Sequence, residues 1–405
     1  MPFNPPVEIA MVVAEWAALE PYRGGVFHYD NRTLLALRLV SRLWTEHARR
    51  LLYRKVRLRA TSDGVVYRSA FAAFVREIHG LRRARSRLPA EVRALSIGCQ
   101  SAYFGTTVDL SAISTLVQLL PGLRALHVTL LCAHLEIPDT FAFDTPQLAV
   151  LRSAPAARSI THLSMRSHIS DPNVLHQLLG GLPNLRTLTI EAPRHTTVYE
   201  PALALPCMRR LLIDAQVSRK CLAYLYACVF SLRSLVLATL NDLARCAAHF
   251  SDEPHRVREL IVLDSGWDDT AESLAPGQLH GLATTFPHLT RLVVGFALPR
   301  AVLDTLPTAL TYFGFDPYMG ETVVDDALAW LESRPFVLTV GTVYHPEIDD
   351  ECESEQVRRV RGFCRQTGRK WSEIYRMFID EIPSNADDDD DMTPRAQPNP
   401  LPGPG

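Results

Sequence analysis

Fourteen histidines and eight cysteines are the side chains best suited to nucleophilic, acid–base or metal chemistry in this chain, and their spacing argues against all three. Metal ligation needs His, Cys or carboxylate groups at short fixed offsets, such as H-E-x-x-H on one helix face or C-x-x-C pairs. The histidines are dispersed and stand at no such offset from carboxylates. Cys99, Cys132, Cys207, Cys221, Cys228, Cys246, Cys352 and Cys364 contain no C-x-x-C pair, so buried reduced thiols are expected. No G-x-S-x-G turn is present. The nearest approach to a phosphate loop, Gly362 to Gly368-Arg369-Lys370, has the wrong spacing and lies in a helical pattern. No catalytic residue, metal or cofactor is therefore expected, which leaves function to be carried by contact surfaces.

The elements that would build such a surface are written as a recurring phrase. LPGLRALHV (120 to 128), LPNLRTLTI (182 to 190), LPCMRRLLI (205 to 213) and FPHLTRLVV (286 to 294) share one apolar-x-x-apolar-x-apolar skeleton after a turn signal. VRALSI at 92, ITHLSM at 160, LRSLVL at 232, VRELIV at 257 and LTYFGF at 310 repeat it without the lead. Its central positions are Leu95, Leu126, Leu163, Leu188, Leu211, Leu235, Leu260, Leu292 and Phe313, separated by 31, 37, 25, 23, 24, 25, 32 and 21 residues. A period of roughly 20 to 29 with one short strand per unit marks leucine-rich repeats. The fold expected is an α/β leucine-rich-repeat-like solenoid over residues 92–345, whose extended surface suits binding.

Between the strands, Asp171-Pro172 reads as a helix start and Gly180-Gly181 as its stop. Segments 111–120, 218–229 and 299–306 read as helices of the same kind. The wide spacings leave longer loops at 98–109, 132–159 and 264–278. Because side chains alternate along a strand, the residues between the core leucines should face the concave surface. Leu212, Val236, Ile261 and Val293 would then form an exposed apolar row flanked by Arg210, Glu259 and Arg291. These seven are the candidate substrate-binding residues, an apolar centre with a charged rim.

Bulk properties narrow the class further. The chain has no basic leader before its first apolar stretch, since Glu15 interrupts residues 9 to 19, and no apolar run approaches the roughly 18 residues of a membrane span. An intracellular protein is expected, without a membrane partner, and the Asn31-Arg32-Thr33 triplet would then go unglycosylated. Residues 1 to 100 carry 17 Arg and Lys against 8 Asp and Glu, whereas the remainder carries 25 against 36. The basic residues of the first part flank apolar helical positions without interleaved aromatics, so a protein partner with an acidic surface fits better than nucleic acid. Only Lys55, Lys220 and Lys370 are lysines, which codon bias in an Ala-, Arg- and Pro-rich chain explains.

Residues 1–60 stand apart from the repeats. Val7, Met11, Ala14 and Ala18 suggest a first helix, a loop with Gly24 and Gly25 follows, and Leu34, Leu37, Val40, Trp44 and Ala48 form one stripe along a second helix. Residues 61–91 read as a helical spacer. Residues 346–383 read as a helical cap, with Val357, Val360 and Phe363, then Trp371, Ile374, Phe378 and Ile379. Residues 384–405, with Asp387 to Asp391 and many prolines, read as a disordered tail.

The first segment resembles an F-box. The resemblance lies in Pro5-Pro6 before Val7-Glu8-Ile9, the phrase Thr33-Leu34-Leu35-Ala36-Leu37-Arg38-Leu39-Val40-Ser41-Arg42-Leu43-Trp44, and then Leu51-Leu52-Tyr53-Arg54-Lys55-Val56-Arg57-Leu58. The order F-box, spacer, irregular repeats and acidic tail is similar to that of F-box proteins abundant in mushroom-forming fungi. Two features depart from the pattern: Phe3-Asn4-Pro5-Pro6 replaces the usual Leu-Pro start, and the loop from Glu20 to Asp30 is long. The resemblance implies a small all-α F-box-like domain that docks a Skp adaptor through Pro5, Pro6, Val7, Ile9, Leu34, Leu37, Val40 and Trp44. It further implies a non-enzymatic substrate receptor of a cullin-based ubiquitin ligase, in the cytoplasm or nucleus. A repeat scaffold outside any ligase is the alternative.

Overall fold

The computed structural model describes residues 19–21, 27–29, 31–37, 39, 42–59, 65–101, 110–132, 145–166, 172–191, 205–213, 225, 232–237, 256–262, 285–298, 300–344 and 354–375. Its frame is one parallel sheet of twelve strands laid down in sequence order. These are β3 (Lys55–Arg59), β4 (Ala94–Ser101), β5 (Ala125–Cys132), β6 (His162–Arg166), β7 (Thr187–Glu191) and β8 (Arg210–Ile213). They continue as β9 (Ser234–Leu237), β10 (Glu259–Val262), β11 (Arg291–Val294), β12 (Tyr312–Phe315), β13 (Thr339–Tyr344) and β14 (Lys370–Tyr375). Strict sequence order in a parallel sheet means that each unit contacts chiefly its neighbours, which is the solenoid arrangement.

The register explains the repeated phrase. Leu95, Leu126, Leu163, Leu188, Leu211, Leu235, Leu260, Leu292 and Phe313 are paired strand to strand in a single row. Val56 extends that row at one end, and Val340 and Trp371 at the other. Two residues on, Ile97, Val128, Met165, Ile190, Ile213, Leu237, Val262, Val294 and Phe315 form a second row on the same face. Both rows are buried in one continuous core. Each side chain taken wholly out of water contributes about 1.5 to 3 kcal/mol, so a one-residue slip, which would turn both rows to the other face, is strongly disfavoured.

Helices close this core from one side. They include α3 (Val65–Arg83), α5 (Leu110–Leu119), α6 (Thr145–Ser153), α7 (Pro172–Gly180), α8 (Arg300–Leu303), α9 (Glu321–Glu332) and α10 (Glu355–Thr367). They bring Ile78, Leu116, Leu178, Leu179, Val302, Trp330, Val360 and Phe363 into the core. Trp330 lies with its ring centroid 5.0 Å from that of Phe313. The helix α7 begins at Pro172 and ends at Gly180, where the N–H of Gly181 donates back to the Gln177 carbonyl, as the proline and glycine signals predict. Among the described residues no helix is long and apolar enough to cross a membrane.

The structure differs from the sequence expectations at both ends. The parallel sheet extends beyond residues 92–345, starting at β3 and finishing at β14. Within the helical cap expected at 346–383 the helix stops at Thr367, and residues 370–375 form a strand. Gly368, at φ 69°, takes the left-handed conformation that ends helices, and its N–H donates to the Cys364 carbonyl. After this reversal Trp371 joins the leucine row. The interval 132–159, expected as a loop, contains α6 and a 3-10 turn at Pro155–Arg158.

The N-terminal segment is not all helical. A hairpin of β1 (Leu19–Pro21) and β2 (Phe27–Tyr29) occupies the interval expected to be a loop. The single second helix divides into α1 (Asn31–Leu37) and α2 (Arg42–Arg54), with a turn closed by Leu39 N–H to the Ala36 carbonyl at 3.0 Å. Ser41, a residue type favoured at helix starts, immediately precedes α2 in the sequence. Leu34 and Ala48 form the small core of this pair, with Leu37, Leu51 and Leu52 packed around them. The chain passes from α2 directly into β3, and Tyr53 donates to the Glu77 carboxylate on α3. Burial, reinforced by Glu77, pushes the Tyr53 hydroxyl up to about 12. The helix of residues 7 to 18, the tail at 384–405, and the loop at 264–278 lie outside the described residues.

Candidate functional site

On the face opposite the helices, one row of side chains runs the length of the sheet. From β4 to β11 it reads Ser96, His127, Ser164, Thr189, Leu212, Val236, Ile261 and Val293, each paired with the next. It continues through Gly314 and Gly341 to Ser372. The four apolar residues expected in register are therefore adjacent. They are not exposed: Leu212, Val236, Ile261 and Val293 are 3%, 1%, 3% and 0% accessible. They form a second apolar cluster with Val343 and Ile374, against which Tyr312 packs.

The cover at the C-terminal end of this row can be traced. Gly314 and Gly341 leave two adjacent positions without side chains, and Ile374 and Tyr312 fill that space. A Cβ on Gly314 would lie 2.6 Å from Ile374 Cδ1, and one on Gly341 would meet the same atom at 2.6 Å. Across the gap, the Tyr312 hydroxyl reaches Ser372 Oγ at 2.7 Å. Alternation places Leu212, Val236, Ile261 and Val293 on this face as expected, but the expectation that they are exposed fails, because they pack with one another and with Val343 and Ile374 in a buried cluster.

The charged rim is placed as expected. Arg210, Ser234, Glu259, Arg291 and Tyr312 stand at the first position of consecutive strands, β8 to β12. Arg291 Nε lies 3.3 Å from Glu259 Oε1, and Ser234 Oγ donates to the other oxygen of that carboxylate. The Arg291 guanidinium also sits over the Tyr312 ring at 4.3 Å. Arg291 thus holds the tyrosine that lies against the glycine pair. Arg210, Glu259 and Arg291 are all partly exposed.

A feature that the sequence expectations missed lies one residue earlier. The residues leading into the strands are joined by a ladder of backbone hydrogen bonds: Arg93 N–H to the Arg54 carbonyl, Arg124 to Arg93, Thr161 to Arg124, Arg186 to Thr161, Arg209 to Arg186, Arg233 to Arg209 and Arg258 to Arg233. Seven of these eight residues are arginine, and the series continues without arginine through Thr290, Thr311 and Leu338 to Lys370. Arg93 turns inward to the Gly122 carbonyl at 3.3 Å, whereas Arg209, Arg233 and Arg258 are exposed. The signal was present in the sequence, since an arginine stands two residues before a central leucine in VRALSI, LPGLRAL, LPNLRTL, LPCMRRL, LRSL and VREL. It is easily passed over because the apolar skeleton dominates the comparison of the phrases.

The residues expected at an adaptor surface divide. Leu34 is fully buried, and Leu37 and Trp44 are partly so. Pro5, Pro6, Val7, Ile9 and Val40 lie outside the described residues. The large apolar side chains that face solvent near them are Leu35 and Leu39, 50% and 88% accessible, neither of which belongs to the expected set. His47 on α2 is buried, and among the described residues neither of its ring nitrogens has a hydrogen-bond partner. Burial, aided by Arg50 and opposed by Glu46, holds its pKa below the usual histidine value.

Burial pushes the Cys364 thiol up to about 11, so it is a packing residue at neutral pH. Among the described residues no group of three or more His, Cys, Asp or Glu side chains is placed to hold a metal ion. Comparison of the chain with protein-family models and with curated proteins finds no match.

Proposed function

We propose that the chain is a substrate-recognition subunit of a Skp-cullin-F-box ubiquitin ligase, with the N-terminal helices docking the Skp adaptor and the repeat surface holding a protein substrate. The observation that supports the adaptor half is the pair Leu35 and Leu39, held in solvent by a helical pair whose own core, Leu34 with Ala48, is already closed. Exposed leucines beside a satisfied core favour association with a partner. In this reading Leu34 and Leu37 shape the module, and Leu35 and Leu39 with Trp44 meet the adaptor. The substrate half falls to the partly exposed rim, Arg210, Glu259 and Arg291, with Leu212, Val236, Ile261 and Val293 supporting it from within.

Co-expression with a Skp adaptor and size-exclusion chromatography tests the reading. A stoichiometric complex is expected, lost in the double variant Leu35→Asp, Leu39→Asp with the thermal midpoint retained. Leu37→Asp should lose the complex by unfolding the helical pair instead. A wild-type chain that elutes alone would sink the receptor reading and favour a repeat scaffold outside any ligase.

A further inference from the structure

We propose that the arginines at the strand entrances, centred on Arg209, Arg233 and Arg258, form a docking edge for an acidic, extended peptide segment of the protein substrate. The word substrate rests on the receptor reading; the charge argument stands without it. The backbones of these three residues are directly hydrogen-bonded in series, Arg233 N–H to Arg209 and Arg258 N–H to Arg233, both at 2.8 Å. Neighbouring parallel strands lie about 4.8 Å apart, so three like charges are held on adjacent rungs of a rigid frame.

Folding does not call for that arrangement. Like charges on neighbouring strands oppose pairing. Among the described residues no carboxylate neutralises Arg209, Arg233 or Arg258, and Glu259, the acid at the next position of the same strands, is engaged by Arg291 and Ser234. Arg210, directly after Arg209, adds a fourth cation at the same edge, and it too has no ion pair among the described residues.

The chemistry selects carboxylates on an extended chain. A guanidinium presents a planar fork that matches a carboxylate bidentately and stays charged at any working pH. A linear row at strand spacing suits an extended peptide, whose same-side residues recur every 6 to 7 Å or so. Single-stranded nucleic acid is less well matched, because its sites pair cations with stacking aromatics. Among the described residues, none of those entering β8, β9 and β10 is aromatic.

Full-length protein titrated against a fluorescently labelled octaglutamate peptide by anisotropy tests the proposal, with an octaglutamine peptide and an octathymidylate as comparators. The glutamate peptide should bind with an affinity that falls as salt is raised, and the glutamine peptide should not bind. Arg209→Gln, Arg233→Gln, Arg258→Gln in one chain should weaken binding about tenfold or more, because truncating clustered interface charges acts at that scale. Adaptor binding and the thermal midpoint should not move. Undiminished peptide binding by the triple variant overturns the proposal, as does tighter binding of the octathymidylate. A comparable gain in affinity when Asp387 to Asp391 are replaced by asparagine overturns it too, by making the chain's own acidic run the occupant. Arginine-dependent peptide binding by a chain that forms no adaptor complex would keep the docking edge and remove only the ligase.

Discussion

The face of the sheet opposite the helices has two halves with the same backbone geometry and opposite chemistry. From β4 to β7 its central row is Ser96, His127, Ser164 and Thr189, and from β8 to β11 it is Leu212, Val236, Ile261 and Val293. Ser164 and Thr189 are nearly as inaccessible as the apolar four, at 3% and 6%. Burial alone therefore does not distinguish the halves. The difference is what burial does: removing leucine, valine and isoleucine from water stabilises the fold, while the buried Ser164 Oγ has no hydrogen-bond partner among the described residues and subtracts from it. A concave surface can thus be a second core along half its length and a tolerated cost along the other half.

The comparison breaks most visibly at its apolar end. Val293→Asp would place a charge at a site with no accessibility and should cost about 3 to 5 kcal/mol in urea unfolding. An unchanged midpoint would mean that this row meets solvent after all. Leu212→Ala can be set beside Leu211→Ala, its neighbour on the helix side. If both faces of β8 are core, each should lose about 2 to 4 kcal/mol. A loss under about 1 kcal/mol for Leu212→Ala alone would mark the cover as loose.

Gly341→Ala tests how the cover is made. The added methyl would run into the Tyr312 hydroxyl and Ile374, so a loss of about 1 to 3 kcal/mol is expected, typical of overpacking. It should be relieved by combination with Tyr312→Phe, which removes one of the two clashing groups. Additive losses in the double variant would show that Tyr312 does not lie over the glycine pair in solution.

A control away from the sheet comes from His47. Its folded pKa is lowered, so the unfolded chain binds the proton first as pH falls past about 6.5. The stability it permits is therefore present above that pH and lost below it, at up to about 1.4 kcal/mol per pH unit. His47→Leu should flatten this part of the stability profile. A profile identical to the wild type would assign the acid sensitivity elsewhere. The smallest effect belongs to the polar half: Ser164→Ala removes an unpaired buried hydroxyl and should change stability by no more than about 0.5 kcal/mol, in the stabilising direction. A loss above about 1 kcal/mol would reveal a hydrogen bond that Ser164 makes in solution.

Much of the frame was legible beforehand for a simple reason. A short parallel strand paired to its neighbours must place equivalent residues in register, so nine leucine-like positions picked out by spacing became one row of the sheet. The same logic located the helix from Pro172 and its glycine stop. It was weaker where a local pattern permits two structures: Trp371 and Ile374 fit a helical stripe as well as alternate faces of a strand, and only Gly368, by reversing the chain, assigns them to a strand. The stripe from Leu34 to Ala48 was likewise divided into two helices, which buried Leu34 and left Leu35 and Leu39 outside.

The amino-acid sequence by itself determined the repeat, the register and the position of each side chain along its strand, because alternation and apolar spacing are local properties of the chain. It also contained the arginine that precedes most of the strands from β4 to β10. Only the tertiary structure decided that Leu212, Val236, Ile261 and Val293 are buried and that the arginines stand on adjacent rungs. Burial depends on what packs across a surface, here the cluster these four form with Val343 and Ile374, and adjacency depends on strands that are 21 to 39 residues apart in the chain and one hydrogen bond apart in space.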